Sequence, residues 1–516
     1  MVTKNPLSLL DAGQLEAVTA RNQHILCLAG AGSGKTRVLT TRVFYLVNKL
    51  RVRPENILAI TFTKNAATEM VERLGTLGIN TDQLWCRTFH SACYKILRES
   101  DGGRQLNIID EATQERALKK CLADLSQQAE FGYRLAQFLE ENNWPLYLFA
   151  GEVNRAIHEC KNYSVTPAEI HRRCHQIEDE DIKEFYQLFG VIFATYQNYL
   201  AIRHEMDFSD LISKVLTTLQ TDRRAREKYQ NKFKYILVDE FQDVNHGQVQ
   251  LLDLLKGCHS KLFAVGDDWQ AIYGWRGGDV KYILRFKKNY QQDCRQIILP
   301  FNYRSDGNIV QAASKCIGRN HQQCRKKIKS FHSAVTKIKI FRGENGESCH
   351  AFVLKEIAAL IQSGAQPKNI MILGRNWKHV DFFIEQFSKN SVPKLVEEPN
   401  FDTPQSNPST GSGFTKNPNS QDINITTIHS AKGLECDFVF LVGLHRGRGG
   451  FPNIKEDHEL RKIIKETTRP ERLAEERRCF YVAITRAKNK LYLVTEKNNE
   501  SIFIKEVPRR FCEHSP

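Results

Sequence analysis

An apolar run, Ile25-Leu26-Cys27-Leu28, enters the glycine-rich stretch Ala29-Gly30-Ala31-Gly32-Ser33-Gly34-Lys35-Thr36 and continues into a helical pattern from Arg37 to Leu50. Strand, glycine loop and helix in that order predict a phosphate-binding loop on a parallel sheet. The backbone N–H groups of such a loop can wrap a β-phosphate while Lys35 neutralises β/γ oxygens and the Thr36 hydroxyl ligates Mg²⁺. Ala29 stands where the consensus has its first glycine. A plain Gly-rich turn from strand to helix is the alternative.

Further buried-strand signals recur at Ile57 to Phe62, Tyr235 to Asp239, Leu262 to Gly266, Ile297 to Leu299, Ile338 to Phe341, Ile370 to Gly374, Ile425 to Ile428, Phe438 to Val442 and Lys490 to Val494. Helical segments separate most of them, which predicts an α/β protein with parallel layers. Between Asp110 and His204 helical periodicity replaces the strand signal, so an all-helical insertion in the first α/β unit is expected. From Glu397 to Asp422 Pro, Ser, Asn and Gly dominate, and residues 390–422 read as a flexible connector. A chain of 516 residues has room for about three or four packed units.

The strand Tyr235 to Val238 delivers Asp239-Glu240-Phe241-Gln242-Asp243, at the end where a parallel sheet displays ligand-binding side chains. Asp239 would hold Mg²⁺ and Glu240 would polarise an attacking water, which favours hydrolysis over transfer. The strand Leu262 to Gly266 runs into a loop, Asp267 to Gly278, holding Trp269, Tyr273, Trp275 and Arg276. Those residues suit base stacking, with burial of Trp269 as the alternative.

Lys plus Arg number 74 against 59 Asp plus Glu, and the net charge of +15 favours polyanionic partners. No apolar stretch approaches the roughly 18 residues of a spanning helix, and Met1 to Leu10 lacks a secretory apolar region, so neither membrane nor export is expected. The 14 cysteines include no CxxC pair and suit reduced thiols in a cytoplasmic protein. His158, Cys160, His171, Cys174 and His175 lack a zinc-type turn, so surface histidines and half-buried cysteines are expected.

Ten segments occur in one order: Leu10-Asp11-Ala12-Gly13-Gln14; Ala29 to Arg37; Thr61-Phe62-Thr63-Lys64-Asn65-Ala66-Ala67; Arg87-Thr88-Phe89-His90-Ser91; Phe208-Ser209-Asp210-Leu211; Val238 to Asp243; Val265 to Gly277; Asn302-Tyr303-Arg304-Ser305; Thr427 to Glu435; and Glu475-Glu476-Arg477-Arg478 with Tyr481 to Ala487. This order resembles the UvrD/Rep branch of superfamily 1 DNA helicases, from the Q motif to motif VI, over nearly the whole chain. The resemblance implies two RecA-like P-loop NTPase domains, 1A over 1–109 and 205–296 and 2A over 297–389 and 423–516. A helical 1B insertion would occupy 110–204, and the connector 390–422 would stand in place of the family's 2B domain.

The implied activity is ATP- and Mg²⁺-dependent 3′–5′ movement on single-stranded DNA and single-strand/duplex junctions, in repair, replication or defence. The implied catalytic set is Lys35, Asp239, Glu240, Gln270, Arg304 and Arg486, with Thr36 and Asp239 on Mg²⁺. Gln14 would read the adenine, Arg37 and Tyr303 would sandwich it, Ala29 to Thr36 would hold the phosphates and Glu435 the ribose. Phe62, Thr63, Thr88, His90, Tyr273, Trp275, Arg276, Ile428 and His429 would line the DNA track, although Phe62 and Phe89 also fit a core.

The sequence departs from the family pattern in motif Ia, where Thr63-Lys64-Asn65 replaces an Asn before Lys, and in the basic loop His445 to Pro452, where the family tends to carry acids. Too little chain follows Arg486 for an appended nuclease domain, so cleavage is not expected. Duplex engagement would then come from the basic stretch Arg325-Lys326-Lys327-Ile328-Lys329, from Arg446 to Arg448, or, as the favoured source, from a nuclease or repair-factor partner. The alternative function is a DNA-activated ATPase sensor or assembly subunit. Small UvrD-like proteins of that kind resemble the helicase-like subunit of the Gabija anti-phage system. A nucleotide-dependent RNA-binding protein is a third reading.

Overall fold

The computed structural model describes residues 5–100, 102–103, 105–332, 336–388, 394–395, 422–447, 449–454 and 467–514. Strands β1 (His24–Leu28), β2 (Ile57–Thr61), β3 (Trp85–Thr88), β6 (Tyr235–Val238), β7 (Lys261–Gly266) and β8 (Cys294–Ile298) form one sheet in the order β3-β2-β6-β7-β1-β8. Every pairing in it is parallel. β1 and β2 are buried at every position because helices cover both faces, which is why they read as unbroken apolar runs.

A second sheet comprises β11 (Ile338–Gly343), β12 (Ile370–Gly374), β13 (Lys394–Leu395), β14 (Asn424–Thr427), β15 (Cys436–Leu441), β16 (Ala487–Glu496) and β17 (Cys512–His514). Its order is β13-β14-β12-β15-β16-β11-β17, again all parallel. Between the sheets, β9 (Phe301–Asn302) pairs with β10 (Lys329–Ser330).

Helices Glu111–Ser126, Ala129–Glu141, Leu146–Asn162, Pro167–Cys174 and Glu180–Ile202 form the expected insertion around their own apolar core. The two-residue strands β4 (Asn107–Ile108) and β5 (Glu205–Met206) pair at its entry and exit. A buried ion cluster fastens it to the first sheet's domain: Lys161 lies 2.7 Å from Asp210 and bonds Asp207, which also accepts from the Tyr196 hydroxyl at 3.0 Å.

Two expectations are corrected, and a third falls mostly outside the described residues. β8 keeps register with β1 from Cys294 to Ile298, so the first sheet runs two residues past the expected limit of 296. The connector 390–422 falls outside the described residues apart from 394–395 and 422, and Lys394–Leu395 adds an edge strand beside β14. Cys160 and Cys174 are fully buried in the insertion's core instead of half-buried, and half-buried His158 faces the Ser209 hydroxyl at 3.1 Å. No helix among the described residues is long and apolar enough to cross a membrane.

Candidate nucleotide site and nucleic-acid interface

The helix Lys35–Phe44 follows Gly34, which sits at φ +83° and offers no side-chain cap. Its first-turn N–H groups therefore face out of an uncapped, positive helix end, the arrangement an anion cradle requires. Gly32, at φ +64°, is also sterically fixed, because a Cβ there would lie 2.6 Å from the Arg304 Cβ. Gln14 is buried: its amide N–H donates to the Ser33 carbonyl at 3.0 Å and its Oε1 accepts from the Asp11 N–H at 3.3 Å. The expected adenine reader thus braces the glycine loop, with both ends of its amide held by the chain. Tyr303 donates its hydroxyl to Asp11 at 2.5 Å and its N–H to the Gly32 carbonyl at 2.9 Å. Burial and Asp11 push its phenol up to about 12. Arg37 is exposed in the first turn of the helix.

At the end of β6 the two acids diverge. Burial and the neighbouring Glu240 push the Asp239 carboxyl up, whereas Lys35, at 3.5 Å, and Lys432 hold Glu240 low against the upward pull of its own burial. Glu240 is thus the ionised member of the pair. Glu240 adopts φ +48°, a left-handed conformation unusual for a non-glycine residue, which turns it toward Lys35.

From Glu240 a chain of hydrogen bonds crosses to the second sheet's domain. Gln242 Nε2 donates to Glu240 at 2.7 Å, and Gln242 Oε1 accepts from the Asp267 N–H at 2.8 Å. Asp267 Oδ2 accepts from Gln270 Nε2 at 2.7 Å, and Gln270 Oε1 accepts from Arg486 Nη2 at 3.3 Å. Arg486 follows the helix Arg469–Ile484 and also donates to the Val482 carbonyl at 2.9 Å and the Leu434 carbonyl at 3.0 Å. Burial and the nearby Arg304 lower it to about 9, which leaves it cationic at neutral pH. Arg304 pairs with Glu435 at 2.5 Å, and Lys488 adds a second cation at 3.0 Å. Glu435, expected at a ribose, neutralises Arg304 here, and these two cations hold it low against the pull of burial.

On the adjoining face, Phe62 stacks on Tyr273 (5.5 Å between ring centres), Tyr273 lies 6.4 Å from Trp275, and Trp275 meets His429 edge-on at 6.0 Å. Arg276 sits over the Trp275 ring at 4.8 Å. These side chains come from both sheets' domains, and Trp275 is 52 % exposed. Burial, with Arg375 and Lys432 near, drops His429 to about 3, so it is neutral.

The other expected track residues have partners within the chain or are buried. Ile428 is in the core, and the Thr63 and Thr88 hydroxyls are engaged as helix caps for the Ala66 and Ser91 N–H groups. His90 packs on Phe208 at 4.0 Å. Phe89 and Trp269 are buried.

The family model for the UvrD/REP helicase N-terminal domain matches residues 10–291, and that for the UvrD-like helicase C-terminal domain matches 297–402 and 410–498. The chain belongs to the UvrD/REP helicase family. Its two parallel sheets are accordingly the two RecA-like domains of a UvrD-type helicase. Similar curated proteins include the "ATP-dependent DNA helicase PcrA" of Staphylococcus epidermidis, 34 % identical over 389 residues, 74 % of this chain and 50 % of that protein. The protein of the same name from Staphylococcus aureus is 34 % identical over 392 residues, 75 % of this chain and 50 % of its own length. The chain spans about half the length of these relatives.

Within this family frame, sequence reasoning left three linking residues without a role. Gln242 joins Glu240 to Asp267, Lys432 bonds Asp243 and the Gln270 carbonyl (2.9 Å), and Asn302 donates to the Ala31 carbonyl at 2.7 Å. Each lies inside a quoted motif, which was the available signal. Lys326, in one of the candidate stretches for duplex engagement, is buried, unlike exposed Arg325, Lys327 and Lys329.

Proposed function

We propose that this chain is an ATP-driven motor that moves 3′ to 5′ along single-stranded DNA and separates strands at single-strand/duplex junctions. The observation that carries the reading is the hydrogen-bonded path from Glu240 through Gln242, Asp267 and Gln270 to Arg486, which joins the two RecA-like domains beside a shared aromatic face. The donor set fits a magnesium–nucleotide complex. The uncapped helix end and Lys35 meet the phosphates, and Thr36 with Asp239 would hold Mg²⁺. Bound Mg²⁺ would neutralise charge between β- and γ-oxygens.

The remaining chemistry belongs to the protein. Glu240 accepts the proton of the attacking water, Lys35 screens the phosphate charge, and Gln270 and Arg486 hold the far side of the cleft. The cleft joins both domains, so a change at Gln270 reaches Trp275 through four intervening residues of one loop. Trp275, Tyr273, Phe62 and Arg276 offer stacking surface that does not depend on sequence, each stacked base contributing roughly 1–3 kcal/mol. Duplex engagement is assigned to a protein partner.

Displacement assays on 3′-tailed and 5′-tailed duplexes, with ATP turnover measured on single-stranded DNA and RNA, test the reading. The expected result is DNA-stimulated turnover and displacement of 3′-tailed substrates alone. DNA-stimulated turnover without displacement would move the function to an ATPase sensor.

A further inference from the structure

We propose that Lys326 is a positioning residue for ATP hydrolysis, fixing Asp267 so that Asp267 holds Gln270 in place. This rests on the reading of Gln270 as part of the hydrolytic cleft. Lys326 lies in the segment between the helix Gly307–Ile317 and β10, outside every motif used to build the site. Its side chain is fully buried, as are those of Asp267 and Asp268. An ammonium has three hydrogens, and each finds an acceptor: the Ala29 carbonyl at 2.9 Å, Asp268 Oδ1 at 2.7 Å, and Asp267 Oδ1. The Trp269 ring closes the fourth side, 4.6 Å from the nitrogen.

One side chain thus ties the glycine loop to the loop after β7. Burial pulls Lys326 down, but Asp267 and Asp268 hold it above its ordinary value, so the charge persists.

The two aspartates have different tasks. Asp267 uses Oδ1 for Lys326 and for the Trp269 N–H at 3.2 Å, which leaves Oδ2 aimed at Gln270 Nε2. Asp268 uses its other oxygen for the Cys324 N–H at 2.8 Å and so anchors the Lys326 segment. Without Lys326, Asp267 would be a buried carboxylate lacking its cation, and nothing would fix the rotation of its side chain. Rotation moves Oδ2 away from the Gln270 amide that it orients. Removing the cation alone leaves two buried carboxylates uncompensated and lowers stability whatever the role, so a purely structural role predicts a kcat loss that follows the loss of stability.

The test compares steady-state ATP hydrolysis at saturating single-stranded DNA for the wild-type chain, Lys326→Met, Asp267→Asn and Asp268→Asn, each with a melting curve. Lys326→Met and Asp267→Asn should lower kcat about tenfold to a hundredfold, as the loss of an orienting contact commonly does, with KM for ATP changed less than about threefold. A chain carrying both Lys326→Met and Asp267→Asn should be no slower than the slower of those two single variants. Asp268→Asn should melt earlier yet keep kcat within about twofold of the wild type. Unchanged kcat in Lys326→Met overturns the role. So does a kcat loss that follows the melting temperature equally across all three variants. If Lys326→Met does not fold, the two aspartate variants decide: equal kcat in both overturns the role. A wild-type chain that hydrolyses no ATP would overturn the proposed function itself, whereas wild-type turnover with normal variants would overturn only the positioning role.

Discussion

Replacing Arg486 by methionine separates a catalytic cation from a structural one. The guanidinium is 1 % exposed, and its hydrogen-bond acceptors include the neutral Val482 and Leu434 carbonyls, the Gln270 amide oxygen and the Thr485 hydroxyl. Burial and Arg304 take it well below the ordinary arginine value, to about 9. At about 1.4 kcal/mol per pKa unit, the folded chain carries roughly 5 kcal/mol of unfavourable charge burial at neutral pH, where both folded and unfolded states are protonated. Methionine removes that burden.

It also leaves the Leu434 and Gln270 oxygens without this donor, at about 1–2 kcal/mol each, while Val482 keeps the Thr485 hydroxyl at 3.1 Å. The net expectation is a melting temperature equal to or slightly above that of the wild type. Turnover should nevertheless fall by about 10³-fold, the typical contribution of an arginine acting on a transferring phosphate. The assay pairs DNA-stimulated ATP hydrolysis with thermal melting of the free chain. The reasoning fails if turnover stays within about tenfold of wild type, or if melting drops by the roughly 3–5 kcal/mol expected when a cation that balances a buried partner is lost.

Three further outcomes follow from the same geometry. Glu240→Gln should retain nucleotide binding, read with a fluorescent ATP analogue, and lose about 10²–10⁴-fold in turnover; near-normal turnover would remove Glu240 as the base. Trp275→Ala should weaken single-stranded DNA about 5- to 150-fold irrespective of sequence while basal hydrolysis persists, and a collapse of basal hydrolysis would make the tryptophan structural. Burial raises the Asp243 carboxyl to about 6 although Lys432 opposes it, so its stabilising contribution is complete below about pH 4 and is lost as pH rises through 6. Relative to Asp243→Asn, the wild-type chain should lose about 3 kcal/mol more stability between pH 4 and pH 7, and parallel melting profiles would refute this.

The sheets were legible because their strands are apolar on both faces, and the hydrophobic signal at Ile57 to Phe62 or Ile370 to Gly374 has few other readings. β3 was missed because Trp85–Thr88 is a four-residue edge strand with only its first and last residues fully buried, too little for a run or a clear alternation. Residues whose function depends on backbone conformation were legible too, since Gly32 and Gly34 occupy left-handed positions that a glycine-rich motif announces. Exposure within a motif was not. Of the four aromatic and cationic residues in the loop after β7, Trp269 and Tyr273 turn inward while Trp275 faces out, and nothing in residue type separates the two tryptophans.

The residues hardest to find join loops that the chain separates widely. Lys326 and Asp267 are 59 positions apart, and Gln270 and Arg486 are 216 apart. Each was visible as a charge or an amide, but a lone lysine in Arg325-Lys326-Lys327 is indistinguishable from its exposed neighbours until the fold buries it. What marks it afterwards is saturation: an ammonium whose three hydrogens all meet chain acceptors has none left for a phosphate on DNA. Gln14 and Glu435 also have partners within the protein, but Gln14 Nε2 uses one of its two hydrogens there and the Glu435 carboxylate keeps acceptor sites. The same test leaves Lys35, with Glu240 at 3.5 Å as its ion-pair partner, as the cation of the glycine loop placed to accept a new anion. A motif therefore names the candidates, and the state of each polar group in the fold decides which of them can meet a ligand without first breaking a bond to the chain.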